Sequence, residues 1–178
     1  MLRNSQAAWG SIARGLHWTI AAFVLFSVGF GWWMTHLAER AGRLSLYQYH
    51  SSIGYSVALL LLLRLGWRLF DPAPPMPAGT LRWERLAARA GHILLYLDAL
   101  AVTISGWLLL GTMRRPLDAA LLGLVNVPVP NLGRERHDLM EQTHEVLSYL
   151  LLALIAVHVA GALRHHFIRK NDILRRMW

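Results

Sequence analysis

The chain contains no cysteine. This excludes disulfides, iron–sulfur clusters, cysteine-ligated zinc and covalently attached haem, so any metal must be held by His, Met, carboxylate or backbone oxygen. Charge is also scarce. Only 16% of the 178 residues are Asp, Glu, Lys or Arg, and 55% are hydrophobic, whereas a soluble domain carries about a quarter charged residues. No internal repeat or low-complexity tract stands out, and no polar stretch is long enough for a separate soluble domain.

What is present is apolar and comes in long runs. Four pass the length needed to span a bilayer, at about 12–37, 49–70, 88–110 and 143–167. They predict an all-α fold, an integral membrane four-helix up-and-down bundle that forms a single domain over 1–178. The first run is too long for a signal peptide and ends in Trp32-Trp33-Met34-Thr35-His36 instead of a small-residue cleavage site. Ser11 is placed to cap it. The Pro-rich segment from Asp71 to Pro77 cannot be helical and separates the second run from the third. Leu81 to Arg85 reads as an interfacial helix, and the apolar, Pro-punctuated stretch after Gly111 as a short amphipathic element over the outer end of the bundle.

The net charge of +8 would suit nucleic acid, but its placement does not. Twelve basic residues, among them Arg3, Arg64, Arg82 and Arg176, fall on one side of the predicted helices and six on the other. By the positive-inside rule both termini are cytoplasmic, and the protein reads as a multi-pass membrane protein in contact with lipid and with no nucleic-acid partner.

Histidines mark the functional candidates. His144 and His158 lie fourteen residues apart in the last run, which is roughly 21 Å along a helix and within about 40° of one face. In an up-and-down bundle, His17 of the first run matches the depth of His158, and His50 of the second matches His144. Each pair can straddle a flat macrocycle as its two axial ligands, and iron so held carries electrons without binding oxygen. Gly54 beside His50 and Gly161 past His158 leave room. His165 could replace His158 but lies shallower, in the basic exit of the helix, and His137 could replace His144 but sits among solvated charges. His36 and His166 read as surface residues, and His92 has no obvious partner.

Taken together, Leu16-His17-Trp18, Tyr49-His50 with Gly54, and Arg64-Leu65-Gly66-Trp67-Arg68 before the proline turn form a recognisable pattern. It continues with Gly91-His92 and Tyr96, Thr143-His144-Glu145 and Leu163-Arg164-His165-His166-Phe167 followed by Lys170-Asn171-Asp172. Over essentially its whole length the chain resembles the bacterial cytochrome b561 family of dihaem membrane proteins. The resemblance implies two haem b groups, with His17 and His158 as iron ligands of one and His50 and His144 of the other. It also implies exchange with the quinone pool: superoxide, or a redox partner protein, as outer-side donor and ubiquinone reduced near the cytoplasmic haem.

The remaining candidates follow from that chemistry. Arg40, Arg43, Arg114, Arg115, Arg134 and Arg136 on the outer side could steer an anion, although Glu135, Asp138 and Glu141 cancel most of their charge. His92 and His165 are placed to exchange protons with a quinone, and Arg64 to pair with haem propionates or lipid phosphates. Asp98, inside the third run, is an intramembrane carboxylate and therefore a candidate proton relay.

Overall fold

The structure, a computed structural model, describes residues 1–37, 43–114 and 119–178, with Arg43 described by its backbone alone. Four long helices run α1 Ser11–His36, α2 Arg43–Phe70, α3 Arg82–Leu110 and α4 His137–Phe167. All four are long and apolar enough to cross a membrane. Pairs α1–α2, α2–α3 and α3–α4 pack as neighbours, as expected for successive antiparallel helices of an up-and-down bundle.

Three helices, α2, α3 and α4, begin six residues earlier than their apolar runs. The runs locate the hydrocarbon crossing, whereas the helix itself continues through helix-favouring polar residues before it. Leu81 to Arg85 is accordingly no separate interfacial helix, because Arg82 opens α3 directly. Ser11 does not cap α1. Gly10 is the N-cap residue, and the Ser11 N–H donates to the Met1 carbonyl.

The stretch after α3 folds as a two-stranded antiparallel hairpin, β1 Ala119–Leu121 and β2 Val125–Val127, with Leu121 opposite Val125. Its turn passes through Leu122 (φ 53) and Gly123 (φ 70), both left-handed. β1 rests on α2 and buries Ala119. This end is called the hairpin end below.

The opposite, terminal end is stitched by polar contacts. Asn4 donates to Asp71 and Pro72 from both its backbone and its amide, and its Oδ1 accepts the Gly10 N–H at 2.8 Å. The buried Glu84 carboxylate of α3 pairs with Arg164 of α4 at 2.6 Å and Arg169 at 3.5 Å. A 3-10 turn, Arg175–Met177, folds back so that the Trp18 indole N–H donates to the Met177 carbonyl at 2.9 Å.

The apolar core is small and lies midway between the ends. Ile20 and Val24 of α1, Val57 and Leu61 of α2, Ala99 of α3 and Leu151 of α4 form it. Large apolar side chains such as Leu62, Leu97 and Val157 point outward instead, with Val157 71% exposed. In water that surface would be prohibitive; against lipid it is the expected arrangement.

Candidate functional site

Two histidine pairs flank the core. At the hairpin end, His50 of α2 faces His144 of α4 with ring centres 6.1 Å apart and planes at 84°. At the terminal end, His17 of α1 faces His158 of α4 at 6.2 Å and 67°. All four rings are half-buried. Leu151 stands seven residues from both His144 and His158, so the core separates the two pairs along α4.

The hairpin-end pair borders a cavity of about 760 Å³ lined from all four helices, with Gly54, Val57, Val102 and Leu151 among its walls. Glycine is required twice here. A Cβ on Gly31 would come to 3.0 Å from Cε1 of His50, and one on Gly106 to 2.9 Å from Cε1 of His144. His144 Nδ1 lies 3.0 Å from the Val102 carbonyl and 3.0 Å from Ser105 Oγ. A carbonyl only accepts, so Nδ1 carries the proton, and Nε2 keeps its lone pair for a metal. His50 Nδ1 is buried with no hydrogen-bond partner among the described residues.

The terminal-end pair is more crowded with polar groups. His92 of α3 lies 5.4 Å from His158, ring centre to ring centre, which gives it the partner that its sequence context does not reveal. Arg64 of α2 donates from Nε to the Tyr96 phenol oxygen at 2.8 Å and from NH1 to the Ala13 carbonyl at 2.7 Å, joining three helices. His165 takes a different partner, accepting from Asn171 Nδ2 at 2.9 Å.

The other candidates separate clearly. Asp98 is 6% exposed, and neither carboxylate oxygen has a hydrogen-bond partner among the described residues. It does not border the cavity. His137 is half-buried, not solvated: its Nδ1–H donates to Thr112 Oγ1 at 2.9 Å, since the Thr112 hydroxyl gives its own hydrogen to the Leu109 carbonyl at 2.7 Å, and Thr112 is fully buried. Arg40, Arg115 and the Arg43 side chain lie outside the described residues.

Comparison with known proteins decides the family. The model of prokaryotic cytochrome b561 matches residues 8–178. The chain belongs to the prokaryotic cytochrome b561 family. Among similar proteins of Escherichia coli (strain K12), cytochrome b561 homolog 2 is 34% identical over 98% of this chain and 93% of its own length. Cytochrome b561 homolog 1 is 31% identical over 91% and 92%. A probable superoxide oxidase CybB of Yersinia pestis is 25% identical over 92% and 91%. The cytochrome b561 chain is thus a multi-pass membrane electron-transfer protein, and its family implies haem b.

The residues present fit that group. A metal–nitrogen bond of about 2 Å on each side, plus roughly 1 Å from nitrogen to ring centre, puts two axial imidazoles about 6 Å apart. The observed 6.1 and 6.2 Å agree with that spacing. The cavity beside His50 and His144, glycine-walled and apolar, suits a flat macrocycle. Gly31, Ser105 and Gly106 escaped assignment from sequence, although a Ser-Gly step inside an apolar helix at the depth of His144 is a readable sign of a close approach.

Proposed function

We propose that this chain is a dihaem cytochrome that carries electrons across the bacterial inner membrane from superoxide, at the hairpin end, to ubiquinone near the terminal end. On this reading the terminal end faces the cytoplasm, His50 and His144 hold one haem b, and His17 and His158 hold the other. The carrying observation is the recurrence of one spacing, 6.1 and 6.2 Å, at two depths that share α4. Haem b, when bound by two histidines, supplies a one-electron carrier with no open coordination position.

The protein's own groups do the rest. Oxidation of two superoxide anions to dioxygen releases the two electrons that, with two protons, convert a quinone to a quinol. His92, beside His158, and His165, at the helix exit, would hand over those protons; their positions near the terminal end support that role. Asp98, a buried carboxyl with no hydrogen-bond partner among the described residues, would be the proton relay within the bundle.

A second reading has one observation in its favour. The described residues at the cavity mouth include Glu141 and Glu145 and no arginine or lysine. Carboxylates repel superoxide, so the donor would instead be a redox partner protein, with the chain as an electron-transfer anchor that links it to quinone. One experiment separates the two. Purified holoprotein is given enzymatically generated superoxide and ubiquinone, with no partner present. Quinol formation well above the spontaneous rate supports the oxidoreductase; a rate no faster supports the anchor.

A further inference from the structure

We propose that Arg64 sets the direction of electron flow, by making the His17–His158 site a better electron acceptor than the His50–His144 site. The inference rests on the reading of two haem sites and on nothing about donor or quinone.

Arg64 lies six residues before the end of α2, roughly 9 Å inside the helix. A lysine or arginine at that depth normally snorkels to the interface. This one is held in place by two acceptors on two other helices, the Tyr96 phenol oxygen at 2.8 Å and the Ala13 carbonyl at 2.7 Å. Both acceptors are neutral. No carboxylate pairs with Arg64 among the described residues. Arg64 therefore has no direct ion-pair partner among them, although the buried Asp71 lines the same small pocket. Its two acceptors place it beside the pair: Ala13 is one helical turn before His17, and Tyr96 one turn after His92.

A fixed positive charge beside a redox centre favours the reduced form, because the arriving electron lowers the centre's own positive charge. The other site lacks such a cation among the described cavity residues and has Glu141 and Glu145 instead, which act in the opposite sense. The two charge sets together tilt the bundle so that an electron moves downhill from the hairpin end to the terminal end. Arginine suits this task because its fork reaches two acceptors at once.

The test is spectroelectrochemical titration of purified holoprotein. Wild type should show two haems with separate midpoints. In Arg64→Gln the higher midpoint should fall, shifting that haem's equilibrium toward the oxidised form about tenfold or more, which is about 59 mV for a one-electron couple. The lower midpoint should stay in place. Arg64→Lys, which keeps the charge, should recover most of the loss. Tyr96→Phe, which only frees the guanidinium, should lower the same midpoint by less. The proposal is overturned if Arg64→Gln moves neither midpoint, moves both equally, or moves only the lower one, or if lysine is no better than glutamine. Should Arg64→Gln fail to load haem, Tyr96→Phe decides, and an unchanged higher midpoint there overturns it. Wild-type protein with fewer than two haems would refute the two-site reading itself, so the two failures are distinguishable.

Discussion

On the proposed two-haem reading, replacing Gly106 with alanine should remove one haem and spare the other. The added methyl would lie 2.9 Å from Cε1 of His144 and 3.3 Å from its Nδ1. Carbon–carbon contact is comfortable only from about 3.5 Å, so the ring or the helix must yield by roughly 0.6 Å. Metal–ligand distances tolerate only about 0.2 Å. The ring cannot swing aside freely either, because Val102 and Ser105, on the same helix as Gly106, hold its Nδ1. Releasing those bonds costs about 1 kcal/mol each. Retreat of α3 would break them as well, so either response misaligns Nε2. Haem per chain, measured by pyridine haemochrome, should drop from two toward one, while the His17–His158 haem remains as an internal control. Gly66→Ala serves as a second control, since a Cβ there meets nothing within 4 Å. Gly106→Ala protein with two haems and an unchanged low-spin spectrum would refute the argument that this glycine is needed for the histidine's position.

Two smaller perturbations test other assignments. Asp98→Asn should slow quinone reduction about tenfold or more and flatten its pH dependence, as expected for loss of a proton relay; a profile matching wild type removes the relay. Thr112→Val leaves His137 Nδ1 without its acceptor and should destabilise the fold by about 1 kcal/mol in thermal unfolding, with the haem spectrum unchanged; loss of haem would instead mark His137 as a ligand.

The four-helix plan was legible because it is written in run length, which hydrocarbon thickness dictates, and because the basic residues cluster between particular runs. The facing histidines could be paired because one residue in a straight helix fixes depth, and depth is nearly all that the pairing of His17 with His158 or His50 with His144 requires. Lateral placement was harder to read. Nothing local to His92 says that α3 brings it beside α4, and nothing local to Arg64 names Tyr96 as its acceptor, because both depend on rotation of one helix against another. The hairpin also escaped notice. Its turn uses Leu122 in a left-handed conformation, where an asparagine or aspartate before Gly123 would have announced it. His137 misled in the opposite way: its charged neighbours in sequence suggested solvent, whereas its ring turns toward the buried Thr112.

Because α4 carries one member of each histidine pair, the order of synthesis constrains when either proposed haem site can exist. At typical elongation speeds α1 and α2 precede α4 by on the order of ten seconds. During that interval His17 and His50 are single imidazoles in an unfinished bundle, able to offer iron one bond but not two. A cofactor captured early would therefore be held loosely and could still exchange, and a chain halted before α4 would hold neither group firmly. Insertion of α4 closes both sites in one event. Maturation of this cytochrome should thus be all-or-none with respect to its final helix, with no long-lived form that has one site complete and the other still waiting for its second ligand.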